Sequence, residues 1–404
     1  MKYCLFVTPF LPHPTGGGSL MRASVALEVL SSLYPVVLVH AVWDQEIGKT
    51  IVLGRDGAGR PQHVIDDSWA RSHSAAFFQV SLDEIGEIPA VVGRFLRDQP
   101  RGSTIEVVYA FRQHVAPSAL GCFNLCEPAP KISFLDLDDD DSSAKEQFGA
   151  LHDVTGDAGL AETARQGALR IKLLRRLLMT RFQHLFLASP DDCRSMASRY
   201  PERTFTLLPN VIRDPGPLPE GIARDSSRML FVGTLSYLPN EDGIEYFAQS
   251  VLPMIRARNG QMIFRVVGMG RSARVDALAG SPGLILAGPA ADLRPEYAEA
   301  GMLVVPLRAG SGTRIKILEA FQHRLPVVST SKGAEGLGVA HEEHLLIANS
   351  PDEMVNACLR LTSEPSLRNH LAEQAHAWVQ REHSIETARR VICDCLRQSG
   401  LSYC

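Results

Sequence analysis

Twice along its 404 residues this chain repeats one pattern: a short apolar run, a turn, and then a helical stretch. The runs at 3–7, 36–40, 105–109, 132–135 and 185–188 are apolar at nearly every position, with helical stretches at 19–33 and 161–180 between them. Short apolar strands alternating with helices argue for a parallel sheet whose two faces are covered by crossovers. At 208–219 four prolines and a glycine crowd into twelve residues, the composition of an interdomain linker. The pattern then restarts with strands at 229–232, 262–267, 284–286, 303–305, 327–329 and 345–347 and a helix at 240–256, and a tail at 351–397 reads as two or three amphipathic helices. The segment 47–101 opens polar and glycine-rich and suggests loops, with a further strand at 76–82. The fold class is α/β, with two Rossmann-like domains.

Composition narrows the function. Hydrophobic residues make up 45% and charged residues 21%, a globular profile. The net charge of −4 gives no reason to expect nucleic-acid binding, since no cationic excess exists to neutralise a phosphate backbone. The eight cysteines are scattered, and Cys122 with Cys126 and Cys393 with Cys395 lack the companions of a zinc site, so a reduced cytosolic compartment is expected. The apolar run at 3–7 is too short for a signal peptide and is stopped by Pro9, Pro12 and Pro14.

The chemistry concentrates at 308–319. A buried strand feeds the turn Arg308-Ala-Gly-Ser-Gly-Thr313, a helix is expected to open at Thr313, and Arg314 and Lys316 fall in its first turn. Free amides there favour an anion, whereas two cations oppose the helix dipole unless a bound diphosphate reverses the sign. Glu319, three residues beyond Lys316, shares its helix face and suits hydrogen bonds from sugar hydroxyls. A plain surface ion pair is the alternative, and it leaves the glycines unexplained.

The segments Phe231-Val-Gly-Thr-Leu-Ser-Tyr-Leu-Pro-Asn-Glu-Asp-Gly243, Val267-Gly-Met-Gly270, Pro306 through Glu319 and Pro326-Val-Val-Ser-Thr-Ser-Lys-Gly-Ala-Glu-Gly-Leu337, set in two Rossmann-like halves, resemble GT-B glycosyltransferases. More narrowly they resemble the retaining family 4 branch associated with bacterial exopolysaccharide synthesis. The resemblance implies two domains facing across a cleft: 1–208 on the acceptor side, 209–380 on the nucleotide-sugar donor side, and a helix in 381–404 returning to the first. It implies transfer of a sugar from a nucleotide diphosphate sugar to an acceptor hydroxyl with retention, needing no metal and no cofactor beyond the donor substrate. Donor contacts would come from Gly16, Gly17, Gly18, Gly233, Gly268, Ser311, Gly312, Thr313, Arg314, Lys316, Glu319 and Glu335. Arg314, Lys316, Asp136 and Asp138 would act at the reaction centre; Arg112 and His114, in a loop just past a strand, where such sheets bind ligands, are expected to face the acceptor.

Three departures accompany the resemblance. Ser311 stands where a second glutamate is common, the first strand of the second domain is not followed by basic residues, and Phe134-Leu-Asp-Leu-Asp-Asp139 stands where a histidine is frequent. The run Asp136-Leu-Asp-Asp-Asp-Asp141 reads as an N-capping acidic turn before a helix, or as hard ligands for magnesium or manganese. Between Thr163 and Pro190 no acidic residue occurs, and a basic amphipathic helix at 165–181 fits peripheral contact with the inner face of an anionic membrane as well as it fits a packed helix with arginines on its wet side. The acceptor is a sugar, a lipid-linked sugar or a small molecule. A catalytically silent nucleotide-sugar-binding subunit and a nucleotide-sugar epimerase are the competing readings.

Overall fold

A computed structural model describes residues 1–42, 51–55, 61–81, 86–123, 128–216, 223–310 and 312–401, with the backbone alone at 51–55, 61–65 and 154–155. The first sheet is built from β1 (Lys2–Thr8), β2 (Val36–Val42), β5 (Ala76–Ser81), β6 (Thr104–Phe111), β7 (Ile132–Asp138), β8 (His184–Leu187) and β9 (Phe205–Leu207). Their order is β5-β2-β1-β6-β7-β8-β9, and every pairing is parallel. Between β2 and β5, β3 (Ile51–Arg55) and β4 (Pro61–Ile65) form an antiparallel hairpin. Loops had been expected there. The backbone register sets Ile51 opposite Ile65 and Val52 opposite Val64.

The second sheet comprises β10 (Asp225–Val232), β11 (Ile263–Val267), β12 (Leu284–Gly288), β13 (Ala300–Val305), β14 (Val327–Ser329) and β15 (Leu346–Ile347), in the order β12-β11-β10-β13-β14-β15, again all parallel. In both sheets the order reverses beside the first strand, between β1 and β6 and between β10 and β13. Such a switch opens a crevice at the carboxyl ends of the strands, where doubly wound sheets bind ligands.

Two local departures from expectation have clear causes. β7 runs on to Asp138 rather than ending at Leu135, because the carboxylate of Asp136 is neutralised inside the sheet by a buried arginine. The helix expected at 240–256 begins at Leu238 and passes through a π-turn at Phe247–Val251 into Leu252–Arg258. Pro253 lacks an N–H and its ring crowds the preceding turn, which a widened turn accommodates.

Three helices, Pro351–Ser363, Pro365–Glu382 and Ile385–Gln398, end the described chain. The chain bends at His383, whose ring lies 4.8 Å from Trp378 and whose Nδ1 donates to the carbonyl of Asn210 at 2.6 Å. Ile212 N in turn donates to His383 O at 3.0 Å, so the two segments that cross between the sheets are tied together. Ser384 caps the final helix, and its Ala388, Ile392 and Leu396 join Phe6, Tyr109 and Phe134 in the core of the first sheet.

Candidate active site

The mouth expected at Thr313 is reshaped in the structure. The helix runs Ile315–Gln322, and Arg314 occupies the position before it with ψ 85°. Gly310 (φ 109°) and Gly312 (φ 75°) turn the chain twice in succession. Arg314 then folds back, its guanidinium donating to the carbonyls of Gly312 and, at 3.4 Å, Lys332. Arg314 and Lys316 are therefore not both in the first helical turn; Lys316 alone is. Thr313 lies outside the helix and donates through Oγ1 to Ala188 O at 3.4 Å, across the cleft. Ser311 lies outside the described residues.

Lys316 is held from two sides. Its Nζ donates to Asn240 Oδ1 at 2.9 Å and lies 4.0 Å from the ring centroid of Phe231. Asn240 is fixed by donating to Thr234 O at 2.8 Å. A Cβ at Gly233 would stand 2.8 Å from Asn240 Nδ2 and 3.0 Å from Lys316 Nζ, so glycine there leaves room for the ammonium. At Gly268 a Cβ would meet Gly233 O at 1.7 Å, so close approach of the two loops requires glycine there. Burial first, and then the Arg314 cation, pull the Lys316 pKa down to about 7, with Glu319 opposing. Burial also raises the pKa of Glu319, whose Oε2 accepts from Tyr297 OH at 2.7 Å. Tyr297 is stacked on His323 at 4.8 Å, which fixes the direction of its hydroxyl.

The first domain supplies the opposite wall. Gly16 (φ 112°) turns the chain after β1, and Gly17 precedes the helix Gly18–Ser31. A Cβ at Gly18 would stand 3.1 Å from Ile315 Cγ1, so the glycine loop meets the helix mouth from across the cleft. At the ends of β6 and β7, Arg112 (φ 72°) and Asp138 (φ 65°) hold left-handed backbone that non-glycine residues rarely adopt. Arg112 pairs with Asp139 at 2.5 Å, Asp141 at 3.4 Å and Asp138 at 3.5 Å. Burial pushes Asp138 up to about 6 and Asp141 up to about 7, ahead of the opposing pull of Arg112. Asp139 is lowered, because the Arg112 charge and hydrogen bond outweigh its burial.

Asp136 is not presented to the cleft. It is fully buried and accepts from Arg22 Nε and Nη2 (3.0 and 2.8 Å), Tyr109 OH (2.6 Å) and its neighbour Asp138 N (3.0 Å). Arg22 also donates to Leu208 O and Asn210 Oδ1, joining β7, the first helix and the linker. Asp140 caps the helix Asp141–Thr155 and pairs with Arg175 and Arg199. Thus the acidic run divides between a buried ion pair, a helix cap and the Arg112 cluster. Among the described residues no group of three His, Cys, Asp or Glu is placed to hold a metal ion.

His114 is exposed in the loop that follows β6, where partial desolvation and then the Arg112 cation lower its pKa. Glu335 is exposed and paired with Lys332. The two domains touch directly. A Cβ at Gly312 would lie 2.7 Å from Asp139 Oδ2, Gly310 N donates to Gln147 Oε1 at 3.0 Å, and Gly336 N donates to Asp191 Oδ2 at 2.8 Å. Sequence reading missed Arg22, Asn240 and Tyr297. Arg22 alone carried a signal, as a charge among the apolar residues of its helix; the other two become visible only when loops distant in sequence meet.

Residues 226–364, which contain Lys316 and Glu319, match the family model described as Glycosyl transferases group 1. The match takes in the strands of the second sheet and the helix Ile315–Gln322. An "Uncharacterized 44.6 kDa protein in cps region" of Klebsiella pneumoniae is 24% identical over 224 residues, covering 53% of this chain and 56% of the relative, so the chain spans about half the length of the curated relative it matches. Sucrose-phosphate synthase from Thermosynechococcus elongatus superposes with a TM-score of 0.67 at 13% identity, over 98% of this chain and 99% of that one. Anabaena HepE in complex with UDP and glucose gives 0.64 at 13% identity, with the same coverage. At such identities the likeness is one of fold, and the fold is GT-B.

Proposed function

We propose that this protein transfers a sugar from a nucleotide diphosphate sugar to an acceptor hydroxyl, with retention of anomeric configuration and without a metal ion. The observation that carries the proposal is the Ile315–Gln322 helix: Lys316 and Glu319 share one face at the cleft, with Arg314 before them and the Gly16–Gly18 loop opposite. The glycosyltransferase group 1 domain supports this reading, as does Anabaena HepE with UDP-glucose on the same fold. The relative from a cps region favours a place in polysaccharide assembly.

As the bond to the sugar breaks, negative charge grows on the leaving diphosphate. Lys316, Arg314 and the amides of Gly312 and Thr313 lie where that charge develops. Glu319, aimed by Tyr297, accepts from the ribose hydroxyls. The departing phosphate takes the acceptor's proton, and Asp138 orients the acceptor hydroxyl. Asp136 is a positioning residue that holds Asp138 through its backbone, and Arg112 orders the carboxylates around it. His114, neutral at pH 7, and Glu335 bound the acceptor and sugar ends of the cleft.

A panel of UDP-, GDP- and dTDP-sugars with simple acceptors tests the reaction. Sugar transfer or donor hydrolysis from one donor is expected, and Lys316→Ala should weaken that donor's binding by at least tenfold. Donor binding with no turnover in any mixture would favour a silent nucleotide-sugar-binding subunit, and unchanged affinity in Lys316→Ala would overturn the site.

A further inference from the structure

The helix Ala158–Met179 has an outer face that the described structure leaves uncovered. Leu169, Leu173 and Leu177 are 58%, 61% and 70% exposed. At ~100° per residue they fall within an arc of about 80°, with Arg176 on one flank and Arg170 on the other; just past the helix end, Arg181 lies on the Arg170 side. The remaining cations of this stretch are engaged: Arg165 with Asp153 and Glu162, Lys172 with Glu146, and Arg175 inside with Asp140. Arg170, Arg176 and Arg181 have no ion-pair partner among the described residues. A chain of net charge −4 thus carries a stretch from Thr163 to Pro190 with no acid and a leucine ridge between free guanidiniums.

We infer that this face docks on an anionic lipid bilayer, with Leu169, Leu173 and Leu177 entering the headgroup boundary and Arg170, Arg176 and Arg181 meeting lipid phosphates. An apolar ridge flanked by cations is the chemistry of a helix lying in a membrane interface. An apolar protein partner would leave three guanidiniums at the rim without counter-charge, which is why charge complementarity selects the lipid. No helix among the described residues is long and apolar enough to cross a membrane, so the contact is peripheral. The inner side of the same helix is wired to the cleft. Arg175 donates to Asp140 Oδ1 at 2.5 Å, and Gln113, next to Arg112, donates to Ile171 O at 3.0 Å. Docking would therefore hold the acceptor side about one helix diameter, ~10 Å, from the lipid. On the sugar-transfer reading, this suits an acceptor anchored in the bilayer.

Co-sedimentation with vesicles of phosphatidylcholine alone or with added phosphatidylglycerol tests the docking without any donor. Strong binding only to the anionic vesicles, weakened by salt, is expected. Leu169→Gln/Leu173→Gln/Leu177→Gln and, separately, Arg170→Gln/Arg176→Gln/Arg181→Gln should each reduce it at least tenfold, while the urea-unfolding midpoint of the same variants stays at the wild-type value and reports an intact fold. Absence of wild-type binding, or equal binding by the leucine variant, overturns the inference. So does a concentration-dependent dimer abolished by the leucine variant, which would make the face a contact between copies. A failed donor assay would leave the vesicle result standing.

Discussion

Lys316 sits at a pKa of about 7 because its ammonium is enclosed beside Arg314, so at neutral pH it is poised between charged and neutral forms. A diphosphate favours the charged form and raises that pKa in the complex. Above pH 7 binding must then take up a proton, and UDP affinity should fall as pH rises from 7 to 9, by up to ~10-fold per unit. Calorimetric titration across that range checks it. Lys316→Arg, which stays protonated, should flatten the profile, and an equally steep profile in that variant would assign the titration to another group. The Arg22–Asp136 pair makes a stability prediction. Both side chains are buried, so Arg22→Met strands a carboxylate in the sheet and should cost ~3–5 kcal/mol in urea unfolding. Arg22→Met/Asp136→Asn should regain much of that loss. A single variant within ~1 kcal/mol of wild type would contradict the buried pair.

At the scale of elements, the turn at 310–312 does what a side chain cannot: it brings backbone against Asp139 of the other domain. Gly312→Val adds both a strained positive φ and a clash with that carboxylate, and donor affinity should fall ~10- to 100-fold. Gly338→Ala is the control, since it has φ 74° but nothing within 4 Å of a Cβ, and it should leave affinity unchanged. Comparable loss in both would mean that strain alone acts. Buried apolar strands were legible in the sequence because period and composition agree at each of them. The hairpin at Ile51–Arg55 and Pro61–Ile65 was not, since its backbone register joins residues that no local window contains. The helix start was misplaced by two residues because Arg314 bonds back to its own loop, a tertiary preference over the helical one. Likewise, the run 136–141 read as one acidic patch, yet its members point to three different partners according to strand and cap geometry.

On the scale of the whole molecule, two parallel sheets meet along their carboxyl ends, and two crossings join them at Asn210, Ile212 and His383. The charges across the cleft are complementary: Asp138, Asp139 and Asp141 with Arg112 on one side, Arg314 and Lys316 on the other. The most direct measurement is a crystal structure of the protein with UDP bound. The account predicts a diphosphate within hydrogen-bond distance of Lys316 and Arg314, with ribose hydroxyls on Glu319. A nucleotide lodged elsewhere, with Lys316 still bonded only to Asn240, would contradict it.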